Sequence, residues 1–183
     1  MKSICNEFPI LDEEYYELDR KFGKLCWKAA HELKKKNSLN NYIDDAEDVK
    51  QELIIDMMKA GSYTKRQIYI EKCFEVAKKF ATDELMLNII TALEELWADR
   101  TRHGANRQKF GPFQESLLEV LVRKLVPKKE RPNKNETLKI DTKFATYCKA
   151  IVWNRQKSMG KKITREKSIR SGLVSLSEFD HIC

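Results

Sequence analysis

TKFATYCKAIVWNRQKSMGKK, residues 142–162, is the stretch from which the rest of the chain can be ordered. Its spacing predicts a helix opened near Thr142 and closed by Gly160, with successive side chains about 100° apart. Phe144, Tyr147, Cys148, Ile151 and Val152 then share one side as a core-facing stripe. Trp153 falls on the other side, among Thr146, Lys149, Ala150 and Lys157. A large aromatic set among lysines and turned from the core is poorly explained by folding, unless another helix covers it. Nucleic acid explains it better: lysines meet phosphates, and an aromatic face stacks on an unpaired base.

Charge points the same way. The 183 residues carry a net charge of +7. Residues 121–183 hold sixteen Lys and Arg against six Asp and Glu, or +10, which leaves −3 for residues 1–120. A neutral-to-acidic body with a basic last third is the expected footprint of a polyanion partner. A solvated lysine-rich surface is the plain alternative.

With 42% hydrophobic and 34% charged residues, six Gly, four Pro and no alternating run, the class expected is all-α. Cys5, Cys26, Cys73, Cys148 and Cys183 are odd in number and widely spaced, with no CxxC pair and no Cys/His cluster. This predicts no metal, and Cys26, Cys73 and Cys148, which sit within apolar patterns, are expected to be reduced core thiols of a cytoplasmic protein. No signal peptide and no membrane-length apolar run is found, so no membrane partner is expected.

Upstream, Tyr15, Leu18, Phe22, Leu25, Cys26, Ala29 and Leu33 recur at helical steps and predict a first helix over 13–35, with Trp27 and a structural His31 beside the stripe. A polar loop over 34–41 follows. Asp44, Asp45, Glu47 and Asp48 form an acidic start that resembles a capping box. The second helix runs through Val49, Leu53, Ile54, Met57 and Met58 to a C′ glycine at Gly61. After a short connection over 63–66, three more helices are predicted. Their stripes are Ile70, Cys73, Phe74 and Ala77; then Leu85, Ile89, Leu93, Leu96 and Trp97, capped by Thr82; then Phe113, Leu117, Val120, Leu121 and Leu125. Residues 101–112 form a basic loop, and 127–139 are expected to be a mobile linker. Downstream of Gly160 the chain is strongly basic to Gly172, followed by a short tail. No Walker-type loop, HExxH or Ser/His/Asp arrangement occurs and no carboxylates converge, so neither catalysis nor a cofactor is expected.

Two separated pieces resemble one family. Asp44-Asp45-Ala46-Glu47-Asp48-Val49-Lys50-Gln51-Glu52-Leu53 is similar to the D-x-x-Q-E-type helix in the second conserved region of bacterial RNA polymerase sigma factors. Lys143-Phe144-Ala145-Thr146-Tyr147, with Ile151-Val152-Trp153-Asn154-Arg155, resembles that region's F-S-T-Y segment and its aromatic, basic helix. The stretch from Arg165 to Glu178 is similar to the way compact sigma factors leave the region. The match covers about half the chain. In the family the two motifs lie close together, so here the resemblance implies a helical insertion. Taking Phe113-Gln114-Glu115-Ser116-Leu117 as the Q-E helix instead restores the spacing but lacks the preceding acids. The first assignment is preferred.

The resemblance implies a helical bundle like the sigma central domain with an inserted helical subdomain. Its parts are N-terminal helices (1–62), the insertion (63–126), a linker (127–140), the aromatic and basic helix (141–172) and a tail (173–183). It implies that Asp48, Gln51 and Glu52 face the clamp helices of the largest subunit of RNA polymerase core. It also implies that Tyr147 and Trp153 stack on or melt a promoter −10-type element. Lys149, Asn154, Arg155, Lys157, Lys161, Lys162 and Arg165 would contact backbone or bases. No helix-turn-helix for upstream DNA is found. This economy is similar to some phage late sigma factors, which rely on a second factor there. Two other readings remain: a helical DNA- or RNA-binding protein outside initiation, and an adaptor that binds another protein through the helices within 63–126.

Overall fold

A computed structural model describes residues 7–36, 46–102 and 110–179. It is all-helical among the described residues: α1 (Asp12–Lys36), α2 (Ala46–Lys79), α3 (Glu84–Arg102), α4 (Pro112–Leu125), a 3-10 turn (Lys128–Glu130) and α5 (Thr142–Phe179). The chain divides into two compact units. One comprises Ile10–Ser62 with Thr137–Cys183, the other Met1–Pro9 with Tyr63–Glu136. The proposed acidic cap at Asp44 and the polar loop over 37–41 lie outside the described residues.

The first unit is built on α1, the first half of α2 and the start of α5. Leu18, Phe22, Cys26, Ala29 and Leu33 of α1 pack with Val49, Leu53, Ile54 and Met57 of α2 and with Phe144, Cys148 and Val152 of α5. Burying each large apolar side chain contributes about 1.5–3 kcal/mol. The ends are fastened by carboxylates. Glu14, only 2% exposed, accepts from the Leu11 amide at 2.6 Å and from the Leu138 amide, joining the start of α1 to the strand of chain that leads into α5. Asp141 caps α5, accepting from the Phe144 amide at 2.8 Å.

The second unit has a separate core. Ile70, Cys73, Phe74 and Ala77 of α2 pack with Ile90, Leu93 and Trp97 of α3 and with Leu118, Leu121 and Val122 of α4. Arg66 and Glu115 form a bidentate ion pair inside it, with Nε to Oε1 at 3.1 Å. Phe8 is buried against Tyr69, ring centres 5.4 Å apart, under the Lys134 ammonium.

Several expectations are corrected. The second and third predicted helices are one: α2 passes through Gly61 and residues 63–66 without a break. Gly61 is not a C′ residue, since no glycine has a positive φ among the described residues. Its missing side chain makes room, because a Cβ would lie 2.7 Å from Ile10 Cδ1 and 2.9 Å from Leu138 Cδ2. Gly160 likewise lies within α5, which continues to Phe179. Nothing after it forbids helix, since the next residues supply amide donors and good helix formers. Asp83, not Thr82, caps α3, accepting from the Met86 amide at 2.8 Å.

Residues 127–139 are held rather than loose. Arg131 donates to the Val126 and Arg123 carbonyls at the end of α4, Lys134 pairs with Glu119 at 2.6 Å, and Leu138 is buried. Some residues expected in the core lie at the surface: Tyr15 and Leu25 on α1, Leu85 (69% exposed) and Ile89 on α3, Phe113 (74%) and Val120 on α4, and Tyr147 (55%) on α5.

Candidate nucleic-acid interface

Asp141 starts α5, and the buried row Phe144, Cys148 and Val152 fixes its rotation. That row forces the opposite side outward. Trp153 is 62% exposed, and the Lys157 ammonium lies 5.1 Å from its ring centre, a cation–π distance. Lys149, one turn earlier on the same face, is exposed as well. A helix places Lys149, Trp153 and Lys157 within an arc of about 80°. The structure therefore brings these three together.

It does not bring together the whole predicted set. Tyr147 is exposed, but lies about 120° round the helix from Trp153. Asn154, Lys161, Lys162 and Arg165 are exposed farther round or along α5, and Lys162 already has an interaction partner. Arg155 turns to α2, where its guanidinium donates to Glu52 at 2.6 Å. A residue predicted for DNA is thus paired with one predicted for the polymerase. Both side chains remain accessible, so the pair is worth at most about 1 kcal/mol and opens readily.

Asp48, Gln51 and Glu52 are all exposed on one face of α2. The alternative Q-E segment is differently placed. Gln114 accepts from the Gly111 amide at 2.9 Å as part of the α4 cap, and the Glu115 carboxylate is held by Arg66. Neither side chain is free to present itself outward.

The side chains that shape the space beside Trp153 were not predicted. Glu32 and Leu33 of α1 and Gln156 of α5 line, with Trp153 and Lys157, an open cleft of about 180 Å³. The Gln156 amide donates to Glu32 at 3.0 Å across it. No local pattern marks Glu32, whose place depends on α1 and α5 lying side by side.

The buried thiols carry no chemistry at neutral pH. Burial, with the nearby Asp19 charge, pushes Cys26 up to about 11. Burial pushes Cys148, beside Cys26, up to about 12 and Cys73 up to about 11. Raised thiol pKa values leave neutral, unreactive side chains. Among the described residues no group of three or more His, Cys, Asp or Glu could hold a metal ion, and no helix is long and apolar enough to cross a membrane.

The chain matches no protein-family model, no curated protein and no solved structure.

Proposed function

We propose that this chain is a sigma-like initiation factor, which binds RNA polymerase core through α2 and holds an unpaired promoter strand on α5. The observation that carries the reading is the exposed Trp153 between Lys149 and Lys157, on a helix whose other side is locked into the core. A stacking ring among phosphate-seeking ammonium groups is the arrangement that single strands require. Support for the polymerase half comes from the exposed acids of α2, and from the packing of α1, residues 46–60 and the start of α5 into one bundle.

Co-purification with core polymerase and open-complex formation on a promoter test this reading. Trp153→Ala is expected to lower open complexes about 10- to 100-fold, since stacking one base contributes about 1–3 kcal/mol. On a pre-melted template, rescue is partial if Trp153 holds a base and complete if it only nucleates melting. Asp48→Lys with Glu52→Lys is expected to cost several kcal/mol in polymerase binding. A chain that neither retains core polymerase nor depends on Trp153 for open complexes is not a sigma factor.

One observation favours a second reading, that of a single-strand-binding protein outside initiation. Glu52 already has a partner in Arg155, so α2 is satisfied without a polymerase. Salt-sensitive oligonucleotide binding with no affinity for core polymerase selects it.

A further inference from the structure

The net charge of −3 over residues 1–120 conceals a second basic face. Between residues 20 and 36 the sequence holds seven Lys or Arg and a single carboxylate, Glu32. At about 100° per residue, Arg20, Lys24, Lys28, His31, Lys34 and Lys35 fall within an arc of about 120°, and Trp27 lies inside it. All are exposed or at the edge of exposure, because the buried row of α1 takes the other side. Glu32 lies outside the arc, facing Gln156. Among the described residues no ion pair engages Arg20, Lys24, Lys28, Lys34 or Lys35.

Folding does not require such a face. Mutual repulsion along it is a cost; Lys50 of α2, whose ammonium comes within 5.8 Å of the Trp27 ring, is itself paired with Asp19 and Glu47. His31 stacks on Trp27, ring centres 5.0 Å apart and planes 28° from parallel. Trp27 thus already has a stacking partner in the chain, and what the arc offers in number is cations for phosphates.

Its position gives it a partner. Gln156 on Glu32 and the Lys21 ammonium on the Ile140 carbonyl (3.5 Å) hold α1 beside α5. Lys28 and Lys35 stand one turn to either side of Glu32, which lines the cleft beside Trp153 and Lys157. The basic surface of α5 therefore continues onto α1, where Lys24 to Lys35 spans about 16 Å of helix axis.

We infer that the exposed arc of α1 is a second nucleic-acid-binding surface, which grips the phosphates of a single strand as it runs on from Trp153. The continuity with Trp153 rests on the function proposed above; the phosphate-binding surface itself does not.

Fluorescence anisotropy of a labelled oligothymidylate with the full chain, at several salt concentrations, tests the inference. Lys24→Ala/Lys28→Ala/Lys35→Ala is expected to weaken binding about 10- to 100-fold at low salt and to flatten the plot of log affinity against log salt by about 2, as loss of three single-strand phosphate contacts does. The triple arginine variant keeps the charge and should bind like the parent. These side chains are exposed, so circular dichroism should remain unchanged.

If the alanine triple binds with parental affinity and salt slope while Trp153→Ala is impaired, the inference is overturned and the strand-stacking reading stands. If the triple is impaired and Trp153→Ala is not, the α1 surface stands and the stacking reading fails. Parental protein that binds no oligonucleotide overturns both. Competition by polyglutamate as strong as by unlabelled oligonucleotide of equal charge would make the arc a docking face for an acidic protein, and would also overturn the inference.

Discussion

The two units of the chain bury the apolar rows of their helices to different extents. In the unit of α1 and α5, the stripe read from spacing is largely the buried one: Leu18, Phe22, Cys26 and Leu33, then Phe144, Cys148 and Val152. In the unit of α3 and α4, two of the five residues of each stripe are at the surface: Leu85 and Ile89, then Phe113 and Val120. The helices differ in how many apolar faces they carry. The exposed side of α1 between residues 20 and 36 is lysine, so only one face can be buried. On α3, Leu85, Ile89 and Leu96 form one row and Ile90, Leu93 and Trp97 another, about 100° away. Periodicity detects a helix, but it cannot choose between two rows that are both apolar.

The sharpest way to break this contrast is a pair of phenylalanines. Phe144→Ala, in the first core, is expected to cost about 3–5 kcal/mol in urea unfolding, through lost burial and a residual cavity. Phe113→Ala, on the surface of α4, should remain within about 0.5 kcal/mol of the parent. Equal losses would mean that Phe113 is covered in solution, and that the second unit has a larger core than the isolated chain shows.

A smaller effect separates the two long-range ion pairs. Arg66 and Glu115 are about 15% exposed, whereas Arg155 and Glu52 are 40% and 55% exposed. Removing a partner from the less exposed pair leaves a charge short of solvation. Glu115→Ala should therefore cost about 1–3 kcal/mol, and Glu52→Ala less than about 1 kcal/mol. Chemical denaturation of both variants against the parent checks the ranking. Reversal would place the Glu52 pair in a drier setting than its exposure implies.

The smallest effect compares two glycines that look alike in sequence. Gly160→Ala meets nothing within 4 Å and should stabilise by about 0.5–1 kcal/mol, the usual gain inside a helix. Gly61→Ala gains the same propensity, but its methyl displaces Ile10 and Leu138, so no net stabilisation should be seen on thermal unfolding. A stabilised Gly61→Ala variant would show that those two side chains move aside freely.

These glycines also mark what was legible. The all-helical class followed from the missing alternation, and the start of α5 from Thr142 and the row beginning at Phe144. The exposure of Trp153 followed from that row, because a helix with one side anchored has no choice about the other. The fusion of two predicted helices into α2 was hidden, since Gly61 signals a stop unless Ile10 and Leu138 are known to press on it. Glu32 beside Trp153 was hidden for a similar reason, because 121 positions separate it from that residue and only the pairing of α1 with α5 joins them. The basic arc of α1 was lost to averaging. Its five Lys and Arg sit in a region that sums to −3.

The division of the chain also sets an order of assembly on the ribosome. The core formed by α1 and residues 46–60 lacks one wall until Phe144, Cys148 and Val152 have been made. More than eighty residues lie between Ser62 and Phe144, which is about 4–16 s of synthesis at ~5–20 residues per second. Meanwhile Tyr63–Glu136 emerges as one continuous run with a core of its own. The nascent chain thus completes the later half of α2 while the earlier half still shows Val49, Leu53 and Met57 to water. For those seconds a newborn chain carries a sticky, unfinished groove, and it is the row Phe144, Cys148 and Val152 that seals it.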